Sequence, residues 1–241
     1  MKTVKASDQR TSLNWLYRQT WLYERDRPSM RADRRRWVFG ALSLASRVYS
    51  LKYKAVPFSA PRPTRLQLGS GRTRMSGWVN ADINPIARPD LWVDLRHRWP
   101  LGDGSISVVY ARHCLEHFLE REVRDILAEC ARVLEPGGVL RIGVPSLERA
   151  IKDYLDAQGS FPAWVASYES RGRQLWQYIT DHGNHPIAFD FGYLQELMHE
   201  AGFTGIAVSR GGSSGLIAQA LLPPEDSTRD ETTLYVECVK P

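Results

Sequence analysis

Residues 66–83, LQLGSGRTRMSGWVNADI, decide the fold of this 241-residue chain. One short apolar run ends at Gly69-Ser70-Gly71, and the next ends at Asp82. A dinucleotide-binding loop has the pattern G-x-G-x-x-G, opens a full helix and is followed by an acidic residue about 20 positions on. Here Arg74 replaces the third glycine, and Asp82 follows Gly69 by thirteen positions. The stretch therefore predicts a glycine loop for a ligand without phosphates.

From residue 65 onward, short apolar runs alternate with segments of helical periodicity, as in a parallel sheet with helices on both faces. The last two runs have no helix between them, which predicts an antiparallel hairpin at the sheet edge. We expect an α/β fold: a doubly wound, Rossmann-like seven-stranded sheet, mostly parallel, with a C-terminal antiparallel hairpin. The predicted strands are residues 65–68, 78–83, 91–94, 106–111, 139–144, 204–209 and 232–239. The predicted helices are residues 120–134, ended by Pro136-Gly137-Gly138, 147–157 and 191–201.

The N-terminal part of the chain differs from the rest in charge. Residues 1–65 contain fifteen Lys or Arg and four Asp or Glu, giving +11, while residues 66–241 carry −6. Apolar residues recur at helical spacing over residues 12–26 and 33–51. We interpret residues 1–60 as a basic N-terminal helical extension and residues 61–241 as the main domain. Such an extension faces an acidic partner: nucleic acid, anionic lipid, a phosphorylated substrate or the acidic remainder of the chain.

Cysteine spacing and hydropathy exclude several protein classes. Cys114, Cys130 and Cys238 lack CxxC spacing, so the sequence indicates neither a zinc site nor a disulfide framework. The N-terminus lacks an apolar signal-peptide core, and the longest apolar-leaning run, residues 37–51, is too short and too polar to span a bilayer. We expect a cytoplasmic protein, with peripheral contact at the inner membrane face through residues 1–60 as an alternative.

Two acidic residues follow neighbouring apolar runs downstream of the glycine loop. Asp82 ends the second predicted strand and Asp94 the third. A carboxylate can accept hydrogen bonds from two ribose hydroxyls, and a second one can accept from an adenine amine. Each aspartate alone could equally be a helix cap or a turn residue. Their paired occurrence after one glycine loop favours ligand binding.

Four motifs in order resemble the class I S-adenosylmethionine-dependent methyltransferases, type 11-like, especially the bacterial ones associated with surface-glycan synthesis. They are LQLGSGRTRMSGWVNADI, VDLRHRWPLGDGSISVVYARHCLEHF, ARVLEPGGVLRIGVPS and FDFGYLQELMHEAGF, within about residues 65–205. The glycan-associated proteins share the short crossover after the glycine loop. Ser107 departs from the pattern, because the family usually has aspartate there.

The resemblance implies S-adenosylmethionine as the cofactor and assigns roles to single residues. Gly69-Ser70-Gly71 would lie beneath its methionine end, and Asp82 would bind the ribose hydroxyls. Asp94 and the backbone of Leu95 would bracket the adenine. The segment Arg112-His113-Cys114, after the fourth strand, would face the sulfonium.

Methyl transfer to a hydroxyl benefits from a general base, and histidine is the natural candidate near neutral pH. His113 is closest to the expected methyl site, and His185 lies in a loop that would reach over the pocket. His185 could equally order that loop through backbone hydrogen bonds, while His117 is interpreted as structural. Although His182 and His185 have metal-ligand spacing, only Asp181 accompanies them, and we expect no metal.

Residues 159–190 combine aromatic side chains with Arg171 and Arg173, which predicts a cap or substrate segment for sugar rings and anionic groups. We therefore expect O-methylation of a sugar or surface-glycan intermediate, that is, an enzyme of polysaccharide biosynthesis. The alternatives are a methyltransferase of a small metabolite or lipid, and a non-catalytic module that docks through its basic N-terminal helices. Nucleic acid is not expected as a substrate, because Arg112-His113-Cys114-Leu115 replaces the proline-proline-aromatic tetrapeptide of amino-group methyltransferases.

Overall fold

A computed structural model describes residues 37, 40–50, 64–156, 161, 165, 168–222 and 232–241. The chain divides into two compact units, Met1–Ala45 and Ser46–Pro241. Residues 40–50 form helix α1, within the second helix predicted for the N-terminal part. The helix predicted over residues 12–26 lies outside the described residues. The extents assigned to the extension and the main domain stay a prediction.

One mixed sheet organises the second unit. Its strands lie in the order β3-β2-β1-β4-β5-β7-β6, parallel from β3 to β5, with β7 antiparallel to both β5 and β6. The predicted Rossmann-like sheet with its terminal antiparallel pair is thus confirmed. The strands are β1 (Arg65–Leu68), β2 (Val79–Asp82), β3 (Leu91–Trp92), β4 (Ile106–Arg112), β5 (Leu134–Pro145), β6 (Thr204–Ser209) and β7 (Thr233–Val239). The helices that follow α1 are α2 (Glu120–Val133), α3 (Leu147–Leu155), α4 (Arg171–Thr180) and α5 (Phe191–Glu200).

The sheet and two of the helices share the main core. Strand residues such as Leu66, Val109 and Ile142 are fully buried, as expected for parallel strands that are covered on both faces. The helical periodicity of α2 and α5 comes from their buried faces, which supply Val123, Ile126, Leu127, Cys130, Val133, Leu194, Leu197 and Met198 to the same cluster. All three cysteines are buried and free.

The segment between α2 and β5 differs from its prediction. Helix α2 ends at Val133, and Leu134 already pairs with Ile106, so Pro136-Gly137-Gly138 lies within the bounds of β5. The register shifts between Ile106 and Val108. The glycines allow this irregularity, because Gly137 has φ 79° and a Cβ at Gly138 would lie 2.8 Å from the Glu135 carbonyl oxygen.

The predicted cap contains α4 and has a small core of its own. Phe161, Val165 and Tyr178 are buried there together with Ala150 of α3. Arg171 donates to the carbonyl oxygens of Tyr154 and Asp156 at the C-terminus of α3, and Arg173 stacks on Tyr168 with 4.3 Å between guanidinium carbon and ring centroid. Arg171 is therefore engaged with the end of α3 and Arg173 within the cap, which explains their positions without a substrate. Among the described residues, no helix has the length and apolar character needed to cross a membrane.

Candidate active site

The loop after β1 carries two glycines with left-handed backbone at the carboxyl edge of the sheet. Gly69 has φ 60° and Gly71 has φ 50°, values that favour glycine. A Cβ at Gly69 would lie 2.6 Å from Sγ of Cys114, whereas a Cβ at Gly71 would meet no atom within 4 Å in the described structure. The close approach of the loop after β4 therefore requires Gly69, while Gly71 leaves open space beside the backbone.

Ser70, between the two glycines, has a buried hydroxyl. Its backbone N–H donates to the Ala81 carbonyl of β2 at 3.1 Å, and its carbonyl accepts from Thr73 N at 3.0 Å. The Oγ atom has no hydrogen-bond partner among the described residues. Buried hydroxyls are normally satisfied, so the loop offers a polar atom to a ligand. An unsatisfied hydroxyl between glycines fits the polar amino-acid end of S-adenosylmethionine.

Asp82 closes β2 and lies directly against the glycine loop, as the sequence predicts. Its Oδ2 accepts from Gly71 N and its Oδ1 from Asn84 N, each at 2.7 Å. Burial raises the pKa of this carboxyl group, and the N–H groups of Asn84 and Gly71 oppose the rise. The Ile83 N–H also contributes to this opposing effect. A carboxylate has about four lone-pair sites, so acceptor capacity remains for a ligand. The carboxylate is thus pre-oriented beside the loop, and its role in ribose binding stays a prediction.

Asp94 is already occupied by a neighbouring side chain. It follows β3 instead of closing it, since that strand ends at Trp92. Its Oδ1 accepts from Arg96 Nε at 2.9 Å and its Oδ2 from Arg96 Nη2 at 2.7 Å. The buried Leu95 uses its carbonyl for the indole N–H of Trp99. This bidentate contact with Arg96, which was not predicted from the sequence, places Asp94 in a local ion pair. Adenine binding by Asp94 and Leu95 stays a prediction.

His113 directly follows β4, whose last residue is Arg112. It has φ 48°, uncommon for a residue other than glycine, and its N–H donates to the Gly143 carbonyl at 2.8 Å. Its Nδ1 lies 3.2 Å from Oε1 of Glu116, and its Nε2 lies 3.1 Å from Oγ1 of Thr233. The ring is held between a buried carboxylate and a hydroxyl, while its side chain stays 38% exposed. A partly open imidazole backed by a carboxylate can accept a proton.

His185 approaches the same site from the loop after α4. Its ring centroid lies 4.8 Å from that of His117, and its Nε2 lies 4.0 Å from Oδ2 of Asp181. Burial lowers the pKa of His185, Glu116 opposes this, and the neighbouring His117 adds to it. The His-x-x-His spacing of the sequence relates His185 to His182, whose side chain lies outside the described structure. Among the described residues, His185 instead lies against His117.

Glu116 is the site residue that the sequence analysis missed. It is 1% exposed, contacts His113, and offers a potential ligand atom within 4.8 Å of those of His117 and His185. The two histidines predicted as catalytic are therefore brought to one buried carboxylate. The spacing His113-x-x-Glu116-His117 could have pointed to Glu116 as a site residue. It does not indicate that the loop carrying His185 lies against the same carboxylate.

A family model matches the part of the chain that contains the glycine loop and the end of β4. The family model described as "Methyltransferase domain" matches residues 67–142, which include the end of β1, β2 to β4, the glycine loop, Asp82 and His113. The expected enzyme class is thereby confirmed as an S-adenosylmethionine-dependent methyltransferase, with S-adenosylmethionine as the cofactor. No curated protein matches the sequence of this methyltransferase.

Solved structures share the fold at low identity. An S-adenosylmethionine-dependent methyltransferase from Thermotoga maritima is 16% identical, with a TM-score of 0.47, and the alignment covers 87% of this chain and 95% of the other. One from Archaeoglobus fulgidus is 13% identical, with a TM-score of 0.44 and coverages of 81% and 94%. A Haloferax volcanii protein bound to the Trm112 methyltransferase activator is 19% identical, with a TM-score of 0.46 and coverages of 87% and 95%. Similarities at this level carry no argument about substrate or partner.

Proposed function

We propose that this methyltransferase methylates a hydroxyl oxygen of a sugar or surface-glycan intermediate. The observation that carries the proposal is the contact between His113 and Glu116 at the end of β4. This segment also touches the glycine loop, because Cys114 packs against Gly69. A neutral hydroxyl is a poor nucleophile, so a base at this place favours an oxygen acceptor.

The contacts of His113 define which ring nitrogen can act as the base. An ionised Glu116 only accepts hydrogen bonds, so Nδ1 at 3.2 Å from it carries the ring proton. Nε2 then accepts a hydrogen bond from the Thr233 hydroxyl 3.1 Å away, and it can take a proton from an acceptor hydroxyl that replaces this contact. The carboxylate fixes this tautomer and stabilises the imidazolium formed when Nε2 takes a proton.

Bound S-adenosylmethionine supplies a methyl group on a positively charged sulfur, which keeps the electron pair of the broken C–S bond. The chain's own task is to position the acceptor and remove its proton, since near-attack geometry alone accounts for a large part of such a reaction. The acceptor oxygen bonds to the methyl carbon as its proton passes to Nε2 of His113. Ser70, Asp82 and the glycine backbone would hold the cofactor.

The cap supports a carbohydrate acceptor over a small apolar one. Trp176 of α4 is 61% exposed and Tyr154 of α3 is 40% exposed, although the cap has a buried aromatic core of its own. Exposed aromatic rings can stack on the C–H faces of sugars while their polar edges remain in water. Methylation of a lipid or a small metabolite is the alternative enzymatic function.

The experiment follows the label from methyl-labelled S-adenosylmethionine into separated glycan, lipid and small-metabolite extracts. Label is expected in the glycan fraction, with a loss of at least about 100-fold in kcat for His113→Gln and unchanged affinity for the demethylated cofactor. His199→Gln, an exposed histidine of α5, is the matched control. Label confined to lipid or metabolite fractions would contradict the proposed acceptor. Cofactor binding without transfer to any fraction would contradict enzymatic O-methylation.

A second candidate is an interaction module that docks through the basic N-terminal segment, favoured by the +11 charge of residues 1–65. Docking of that segment on anionic lipid would bring the methyltransferase to the inner face of a membrane. Co-sedimentation with anionic and neutral vesicles, with and without residues 1–60, tests this docking. Equal recovery of both forms in the supernatant would exclude the membrane version.

A further inference from the structure

Two separate segments of the chain bring three metal-ligating side chains together. Glu116 and His117 lie in the 3₁₀ turn Leu115–His117 after β4, and His185 follows the 3₁₀ turn Asp181–Gly183. One potential ligand atom of each residue lies within 4.8 Å of the other two. Ligand atoms about 2.0–2.1 Å from a tetrahedral metal are about 3.3 Å apart. Rotamer adjustments on the order of 1 Å would therefore close the cluster around an ion.

The buried carboxylate of Glu116 is incompletely satisfied. Oε1 contacts Nδ1 of His113, whereas Oε2 has no hydrogen-bond partner within the described part of the chain. The side chain is only 2% exposed, so bulk water does not replace the missing partner. A buried carboxylate without its full set of donors is costly, and a bound cation relieves that cost.

Polar groups outside the cluster lie beside the imidazole rings of His117 and His185. Nδ1 of His117 lies 3.3 Å from the carbonyl oxygen of Asn184, which can only accept, so this nitrogen carries the proton and Nε2 is free to bind a metal. Asp181 places a carboxylate oxygen 4.0 Å from Nε2 of His185. Asn184 also donates to Asp181 at 3.0 Å, which ties both outer partners into one loop.

We propose that Glu116, His117 and His185 bind one divalent transition metal ion at the carboxyl edge of the sheet. Two imidazole nitrogens and one carboxylate oxygen suit Zn²⁺, Co²⁺ or Mn²⁺, whereas Mg²⁺ and Ca²⁺ prefer oxygen ligands throughout. Zn²⁺ fits best, because catalytic zinc sites use three protein ligands of these types and keep a fourth position open. This inference departs from the expectation of no metal.

The site would face the acceptor side of the cofactor pocket. Glu116 follows by two positions Cys114, the residue that packs against Gly69 of the cofactor loop, and Glu116 also holds His113. An acceptor hydroxyl at the open coordination position would be acidified and oriented beside the proposed base. This role rests on the proposed O-methylation, whereas metal binding itself does not.

Metal binding can be measured on the untagged full chain without cofactor or acceptor. After treatment with a chelator, the protein is titrated with Zn²⁺ by calorimetry and with Co²⁺ by visible absorption, which reports the coordination number. One equivalent of tight binding is expected, together with the intense visible bands of four-coordinate Co²⁺. Mg²⁺ is expected to compete only weakly.

Three variants test the assignment: Glu116→Gln, His117→Asn and His185→Asn. Each is expected to lower Zn²⁺ affinity by at least about 100-fold, beyond the roughly 10- to 100-fold effect of losing an outer partner. His199→Gln, which changes an exposed histidine of α5, should bind as the unmodified chain does. Far-ultraviolet circular dichroism and retained affinity for the demethylated cofactor identify variants that remain folded.

Absence of a stoichiometric site, unchanged Zn²⁺ affinity in the folded His185→Asn variant, or Mg²⁺ binding as tight as Zn²⁺ would each overturn the metal site. These outcomes are separate from a failure of the proposed function. Metal binding without label in the glycan fraction would refute the acceptor assignment and leave the site intact. Glycan methylation by a chain that binds no Zn²⁺ in the titration would refute the metal site and leave the acceptor assignment intact.

Discussion

Cys114 occupies the space that a side chain at Gly69 would need, with Sγ 2.6 Å from the position of a Cβ atom there. Through this contact the loops after β1 and β4 define each other's position. Gly69→Ala is expected to destabilise the fold by about 2–5 kcal/mol, because an overpacked core contact adds to the cost of a left-handed alanine. Urea unfolding measures the loss, and calorimetry with the demethylated cofactor measures the accompanying loss of affinity.

Two control variants separate the contact from the backbone effect. Gly71→Ala has the same left-handed backbone but no crowding neighbour, so it should cost only about 1–2 kcal/mol. Cys114→Ala combined with Gly69→Ala should recover part of the stability, since Sγ is the closest atom. Equal costs for the two glycines, with no recovery in the double variant, would contradict the packing argument.

Sequence periodicity was sufficient to predict the elements of the sheet because each element has its own hydrophobic pattern. The bounds of β1 and β6 agree with their predictions, and α2 ends one residue early. Asp82 was found because the carboxyl ends of parallel strands meet at one edge. The correctly predicted positions are those that the order of the strands in the sheet determines.

The remaining site depends on contacts that no local pattern specifies. Glu116 and His117 meet His185 only because the loop after α4 folds onto the 3₁₀ turn after β4, and the two segments are far apart in sequence. The bidentate contact of Arg96 with Asp94 has a different origin, because it depends on the side-chain conformation within a single turn. Sequence spacing shows which residues could act together, but these contacts form only when the loops have folded.

A buried ion pair joins the parallel part of the sheet to β7. Arg141 of β5 is fully buried, donates to Oε1 of Glu237 at 2.5 Å and to Oγ of Ser209 at 2.8 Å, and lies 4.8 Å from the ring centroid of Tyr235. Arg141→Met leaves the Glu237 charge buried without its partner, so a loss of about 3–5 kcal/mol is expected in urea unfolding.

The matching exposed pair is Arg124 with Glu120 on α2. Arg124, which also contacts Glu200, is half-exposed, so Arg124→Met should change stability far less than Arg141→Met because solvent screens exposed pairs. Replacing Arg141 and Glu237 together by methionine should cost less than Arg141→Met alone, since no unpaired charge remains. A double variant as unstable as the sum of its single changes would show that the pair is not coupled.

The cap is attached to the sheet through Tyr178 of α4. Its hydroxyl donates to the Thr232 carbonyl at 2.8 Å, immediately before β7, while its ring stays in the core of the cap. Tyr178→Phe keeps the ring and should lower the free energy of unfolding by about 1 kcal/mol through the lost hydrogen bond.

Hydrogen exchange in this variant is expected to accelerate in α3 and α4 but not in β4 or β5. Tyr154→Phe, at an exposed tyrosine of α3, is the control, and uniform acceleration throughout the sheet would contradict local attachment.

Cofactor affinity should depend on pH through Asp82. Only the ionised carboxylate accepts from both ribose hydroxyls, and burial raises its pKa above the usual value near 4. As the pH falls from 7.5 toward 4.5, affinity for the demethylated cofactor is therefore expected to decline before an ordinary aspartate would titrate. Below the raised pKa the decline in affinity approaches tenfold per pH unit.

The Asp82→Asn variant should bind the demethylated cofactor about 10- to 100-fold more weakly at pH 7 and lose this pH dependence, because its side chain does not titrate. Asp103→Asn, at an exposed aspartate, should retain the unmodified profile, and circular dichroism at each pH excludes acid unfolding. An Asp82→Asn variant with the full pH dependence would assign the titration to another group.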